Sequence, residues 1–286
     1  DKQIRRHDPH RGGRNILIIT EVAAIGHHGA HADGELEEGQ VWEASMSAAH
    51  YKLDNLTAFI DNNGLQIDGN VEDVMNPGPI DKKFEAFGWN VLKINGHDYD
   101  EINAVLEQSK EQTKPYLIIA DTTIAKGACE MEGSHHAHGA PLGCEEIKNS
   151  KIKAGFDPEQ SFSVDEDVRA RFNCALEKGD LAEANWNAFV NNTLSAEKKA
   201  LLESLQKPDF SMIEWPNFES DVATRDSNGK ILNAIAKAIP SFLGGSADLG
   251  PSNKSELSGM GDFPFGRNIH FGVREHAMGA IINAFA

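Results

Sequence analysis

The chain has 286 residues, 40% hydrophobic and 25% charged, the composition of one large or two small globular domains. A formal net charge of −17 argues against a nucleic-acid surface and offers phosphate groups no general attraction, so any phosphate must be met by local cations or backbone donors. No apolar run reaches the roughly 18 residues of a membrane span, and the N-terminus lacks the apolar core of a secretory signal; the scattered Cys129, Cys144 and Cys174 form no metal or redox motif, and from them a reducing cytoplasm is expected.

Residues 1–14 are basic with little apolar pattern, and 15–20 read as a short strand before an irregular His-rich stretch at 26–31. Over 40–52, Val41, Ala44 and Ala48 recur at helical spacing. Leu56 to Ile60 reads as a strand stopped by Asp61-Asn62-Asn63-Gly64. A strand over 90–94, a helix over 98–111 and a strand over 116–120 follow. Such alternation with short connections predicts an α/β fold, a parallel sheet with helices on both faces. Residues 164–206 are charged and helical, with Trp186 and Phe189 as apolar anchors, and 207–221 reads as a linker. A second alternating unit then begins, with a helix over 231–239, strands over 241–243 and 268–273, and a helix from Glu275 to Ala286. The expected organisation is an atypical segment 1–32, a metal- and diphosphate-binding domain with a helical extension over 33–206, the linker, and an incomplete α/β domain over 222–286.

Asp33-Gly34-Glu35 and Asn63 stand 30 positions apart. A helix of about 13 residues, a turn and a strand of about 5 fit between them. That step returns both residues to the carboxyl edge of the sheet, where open α/β sheets bind ligands. One carboxylate and one amide oxygen there suit a hard cation, and Gly34 lets an anion approach the backbone. As isolated sequence, DG and NNG are also ordinary turn pairs.

The blocks DGELEEGQVWEA, DNNGLQIDG, HGAPLG, GGSADL and FGVREHAMGA resemble those of transketolases, of bacterial type, within the thiamine diphosphate enzymes. The resemblance runs from Asp33 to Ala286, with Ala32 in place of the usual first glycine of the metal motif. It implies that Asp33, Asn63 and the Leu65 carbonyl hold Mg²⁺ or Ca²⁺, with diphosphate oxygens and water completing the shell. Gly34 would lie beside the diphosphate and Ile67 against the thiazolium ring, while Glu38 and Glu43 would meet a partner subunit near the cofactor. Glu275 would favour the imino tautomer of the aminopyrimidine, so that the cofactor takes its own thiazolium proton. By itself, Glu275 reads as a first-turn glutamate favoured by the helix dipole. Asp248 and Leu249 would approach the cofactor. Arg225 and Ser252 would bind the substrate phosphate, the former in a fork suited to oxyanions. His138 would meet diphosphate and substrate and steer a proton; His135 and His136 fit the pattern less well, and His27, His28 and His31 match no role.

The implied reaction is reversible transfer of a two-carbon ketol unit, through the thiamine ylide, from a ketose phosphate such as xylulose 5-phosphate to an aldose phosphate such as ribose 5-phosphate. The implied assembly is a homodimer or a chain completed by another, with no nucleic acid or membrane partner. Transketolases also carry a long segment before the metal motif, an aromatic cradle for the pyrimidine and a third domain, which the resemblance does not find here. The alternatives are a phosphoketolase or dihydroxyacetone synthase, a non-catalytic subunit of a split enzyme, and an inert fragment.

Overall fold

In the computed structural model, residues 15–18 and 33–285 are described. The irregular stretch at 26–31 with His27, His28 and His31, the end of the first expected strand and Ala32 lie outside the described residues. Contacts gather the chain into two compact units, one reaching to Glu159 and including Arg274 onward, the other Gln160–Val273.

The first unit is built on a parallel sheet of β1 (Asn15–Ile18), β2 (Leu56–Asn62), β5 (Asn90–Asn95) and β6 (Tyr116–Asp121), in the spatial order β1-β2-β6-β5. β6 pairs on both sides, Thr57 and Asn90 both opposite Tyr116. Its residues Tyr116 to Ile119 are all buried, as a central parallel strand covered on both faces requires. Their alternation separates two cores. Leu117 and Ile119 pack with Ala58 and Ile60 beneath α1 (Gly39–His50) and α3 (Ile80–Phe87), where Val41, Ala48 and Phe84 close the layer. Tyr116 and Ile118 pack with Ile94 and with Val105 of α4 (Tyr99–Ser109). The expected helix at 98–111 thus forms, started by Asp98, whose carboxylate accepts the amides of Asp100 and Glu101. Between β2 and α3 lie a hairpin of β3 (Leu65–Gln66) and β4 (Gly69–Asn70) and the one-turn α2 (Val71–Met75), and α5 (Cys144–Lys153) follows β6.

An aromatic cluster fixes α1 over the sheet. Phe84 is fully buried, 5.5 Å from the Trp42 ring and 5.3 Å from Trp89, and Trp89 Nε1 donates to the Ser45 carbonyl at 2.9 Å. Truncating a fully buried phenylalanine leaves a cavity under the helix that follows the Asp33 turn. Phe84→Ala is therefore expected to cost about 3–5 kcal/mol in a urea titration of the chain; a loss under about 1 kcal/mol would contradict this core.

In the second unit, α6 (Glu166–Asn192) carries no buried residue, and α7 (Ala196–Gln206) follows it. Trp186 and Phe189, expected as anchors, stack on each other at 6.0 Å but stay 54% and 44% exposed, because the helix lays no face on a core among the described residues. Ile213, in the expected linker, is buried. The helix expected at 231–239 begins earlier, as α8 (Thr224–Ala238). The strand expected at 241–243 instead falls at β7 (Gly244–Ser246), which pairs in parallel with β8 (Asn268–His270) ahead of the short α9 (Gly250–Asn253). The Ile269 carbonyl explains the shift. A Cβ on Gly245 would lie 1.8 Å from that oxygen, so only a glycine backbone permits the pairing. The chain ends in α10 (Glu275–Phe285), grouped with the first unit, where the amide of Ala277 donates to Glu43 of α1 at 2.8 Å.

Candidate cofactor site

Asp33 sits just before the 3₁₀ turn Gly34–Glu37 and is 3% exposed. One carboxylate oxygen accepts the Gly34 amide at 3.1 Å; the other accepts the amide of Gly64, 31 residues away. That second bond joins the two halves of the sequence motif at the carboxyl end of β2. Gly64 holds φ at +73°, a backbone region that favours glycine. Asn63 Oδ1 accepts the Leu65 amide at 2.9 Å, which folds the turn so that Leu65 enters the β3–β4 hairpin. Burial pushes the Asp33 carboxyl above the ordinary aspartate range, opposed by the Gly64 amide and supported by the nearby Asp61 charge. An almost dry carboxylate with two amides on it is held in place, and among the described residues no cation is seen to pair with it.

Ile67 at the hairpin tip is 69% exposed, an apolar surface beside the turn. Its carbonyl lies 3.3 Å from His135 Nδ1. His135, which fits the family pattern less well than His138, thus touches the hairpin. His138 caps the same 3₁₀ turn (His135–Ala137), half-buried, its amide donating to the His135 carbonyl at 3.1 Å. Asp33, Asn63, Leu65, Ile67 and the histidine turn are therefore tied together within one unit. Glu38 is exposed at the start of α1. Glu43 bonds Ala277 of this same chain, and Glu275 opens α10 with its side chain exposed.

The remaining expected residues belong to the second unit. Asp248 is exposed with φ +66°, and the amide of Leu249 donates to Ser246 Oγ at 2.9 Å, which turns the chain from β7 into α9. Ser252 is exposed on α9 and Arg225 exposed on the first turn of α8. A cavity of about 760 Å³ between these helices is lined by Asp226, Lys230, Asn233, Pro251 and Lys254. Lys230 and Lys254 escaped the sequence reading because neither stands in a motif block. A second cavity of about 420 Å³ takes in Ser246, Asp248 and His270.

The donors around Asp33 fit a hard cation bound together with an anion. Among the described residues, no group of three or more His, Cys, Asp or Glu side chains converges to hold a metal ion. One carboxylate, one amide oxygen and a carbonyl fall short of the 6 or so oxygens that such ions take, so ligand oxygens and water must supply the rest. Among the described residues, the Gln66 side-chain oxygen, buried beside Gly34, has no hydrogen-bond partner, an acceptor left open at this turn. Sequence reading missed Gln66, since nothing in DNNGLQIDG says which hairpin side chain turns inward.

Comparison with known proteins identifies two consecutive family matches. Residues 25–208 match the transketolase thiamine diphosphate binding domain and residues 220–286 the transketolase pyrimidine binding domain. The first match begins eight residues before Asp33, earlier than the quoted motif blocks. The chain is 40% identical over 276 residues to a transketolase of Kluyveromyces lactis and 38% identical over 268 residues to one of Staphylococcus aureus. Each match covers 89% of this chain and 40% of the relative, so the chain spans about 40% of the length of these proteins. The crystal structure of a Campylobacter jejuni transketolase matches with a TM-score of 0.83 at 57% identity, again over 89% of this chain and 40% of that one. A Pichia stipitis transketolase in complex with sedoheptulose 7-phosphate matches with a TM-score of 0.82 at 36% identity and the same coverage. Another Pichia stipitis structure, in complex with xylulose 5-phosphate, matches equally well at 35% identity.

Proposed function

The chain belongs to the transketolase family, and from that membership we propose that it binds thiamine diphosphate with Mg²⁺ or Ca²⁺ and serves ketol transfer between sugar phosphates. One observation carries the reading: the Asp33 carboxylate is bonded to the Gly64 amide, which brings both halves of the cation motif to one strand end. When bound, thiamine diphosphate supplies a nucleophilic carbon and an electron sink for cleaving the bond beside a ketose carbonyl. Asp33, Asn63 and the Leu65 carbonyl hold the cation, and Gly34 leaves room for the diphosphate. Exposed Ile67 gives the thiazolium ring an apolar seat. His138 donates to the diphosphate or the substrate hydroxyl, and His135 keeps the turn that bears it close to Ile67. Glu275 holds a proton against the aminopyrimidine ring, on a helix whose first turn is fixed by Glu43. Asp248 and Leu249 approach the cofactor and Arg225 and Ser252 receive the substrate phosphate, roles that rest on the family resemblance of their sequence blocks. The substrates are ketose and aldose phosphates of the kind bound in the Pichia stipitis structures, and the setting is a cytoplasmic dimer of the pentose phosphate pathway. Residues 33–206, 207–221 and 222–286 act as the diphosphate-binding domain with its helical extension, the linker and the pyrimidine-binding region.

A coupled assay tests this. The purified chain is supplied with xylulose 5-phosphate, ribose 5-phosphate, thiamine diphosphate and Mg²⁺, and glyceraldehyde 3-phosphate is followed. Turnover that needs all four components is expected. A second reading is a non-catalytic, cofactor-binding subunit of a split enzyme that turns over only with a complementing chain. Cofactor binding without turnover would select it.

A further inference from the structure

The loop between β6 and α5 carries the histidine turn, and a single buried carboxylate gathers its middle. Glu146, on the first turn of α5 and 9% exposed, accepts three consecutive backbone amides on one oxygen: Cys129 at 2.7 Å, Glu130 at 2.8 Å and Met131 at 3.1 Å. Three successive N–H groups curled round one oxygen form a concave anion seat. Glu146 fills it from the same chain, so the seat serves structure. Lys153, two turns along the same helix, donates to the Ala128 carbonyl at 2.8 Å and to Glu132 at 3.1 Å. α5 thus grips the loop by a donor and an acceptor.

The grip leads stepwise to the site. The Met131 amide is on Glu146, and the Met131 carbonyl accepts the Ser134 amide at 3.1 Å. Ser134 starts the 3₁₀ turn by accepting the His136 amide at 3.3 Å, and the next residue, His135, meets the Ile67 carbonyl. The Lys126–Glu132 and Lys153–Glu132 ion pairs both have a largely exposed lysine and add little, so Lys153 grips the loop chiefly through the Ala128 carbonyl.

We propose that Glu146, assisted by Lys153, is a positioning residue that fixes the His135–His138 turn against the Ile67 hairpin. Its value to catalysis rests on the function proposed above; its effect on the turn does not. A glutamine at 146 keeps the shape but removes the charge that draws three amides together. The bonds on Glu146 also hold its carboxyl below the usual glutamate range, chiefly through the Met131 amide, so the clasp stays intact through mildly acidic pH.

The test compares the unsubstituted chain with Glu146→Gln, Lys153→Met and the control Glu145→Gln. Hydrogen exchange is read at residues 128–138, ring signals of His135 and His138 by NMR, and affinity for thiamine diphosphate with Ca²⁺ by calorimetry. Glu146→Gln is expected to speed exchange at Cys129–Met131 about tenfold and to move both histidine signals, with cofactor affinity falling severalfold. Lys153→Met, which leaves the three amides bound but frees the Ala128 carbonyl, is expected to move the histidine signals and lower cofactor affinity in milder form, and it carries the test if Glu146→Gln fails to fold. Histidine signals unchanged despite faster exchange would overturn the proposal. An unsubstituted chain that bound no cofactor would count against the proposed function, while the histidine signals would still decide the role of Glu146.

Discussion

Asp33→Ala is expected to weaken thiamine diphosphate binding by about a hundredfold or more, because partners one shell further from a metal already cost 10–100-fold when lost. The variant removes the only carboxylate of the proposed cation set and also frees the Gly64 amide, so the Asn63–Leu65 turn loses its tie to the start of α1. Asp33→Asn separates the two effects, since its amide oxygen can still accept one backbone N–H. It also carries a stability signature. Burial raises the folded-state pKa of Asp33 above its unfolded value, so the native apo chain binds the proton more tightly. Stability of the apo chain therefore falls as pH rises from the ordinary aspartate range through the raised value, and levels off above it. Asp33→Asn is expected to remove that slope, while binding no cofactor. Chemical denaturation at several pH values checks this, and a parent and variant with identical pH profiles would contradict it.

Glu275→Gln is expected to lower ketol transfer by about 10²–10⁴-fold, the usual range for a lost general acid–base group. Cofactor affinity should stay within a few fold, because the side chain is exposed at the head of α10 and takes no part in the Asp33 cluster. A glutamate that merely favours the helix dipole would behave differently, since a neutral glutamine there costs about 0.3–1 kcal/mol of stability and spares turnover. The assay is made on whichever preparation turns over, the chain alone or with a complementing chain. Full activity in Glu275→Gln would remove this residue from the chemistry. Glu43 offers a graded companion. It bonds the Ala277 amide, so Glu43→Gln should loosen the first turn of α10 and lower turnover less than the loss of Glu275 itself.

How much of this was legible depended on whether the signal was local. The apolar runs at 56–60, 90–94 and 116–120 gave three sheet strands within a residue or two; β2 and β6 are central and apolar on both faces, and the outer strand β5 still carries Val91, Leu92 and Ile94. Asp98 marked its helix by a side chain that caps it. The pairing of Asp33 with the Asn63–Gly64 turn was legible as spacing, although the bond itself runs to a backbone amide that no sequence pattern displays. The hairpin 65–70 and the helix at 71–75 are too short to show a period; the helix at 80–87 does place Ile80, Phe84 and Phe87 on one face, but it runs only two turns after Pro77 and Pro79, which read as loop. β7 was displaced because Gly244-Gly245 has no strand propensity; what admits it is the approach of the Ile269 carbonyl, a contact between residues 24 positions apart. Glu146 was silent for the same reason, as its three partners lie 15 to 17 residues before it and offer only backbone. Trp186 and Phe189 misled in the other direction, since helical spacing of large apolar residues does not say what covers them.

The measurement that bears most directly on the account is a calorimetric titration of thiamine diphosphate into the chain, with and without Ca²⁺, for the parent and for Asp33→Ala. The Asp33 turn supplies too few oxygens to hold a cation unaided, so cation and cofactor should each tighten the other. Binding that requires Ca²⁺ and vanishes in Asp33→Ala is the predicted result. Binding that ignores the cation, or that survives loss of Asp33, would contradict the assignment of this turn as the cofactor's anchor.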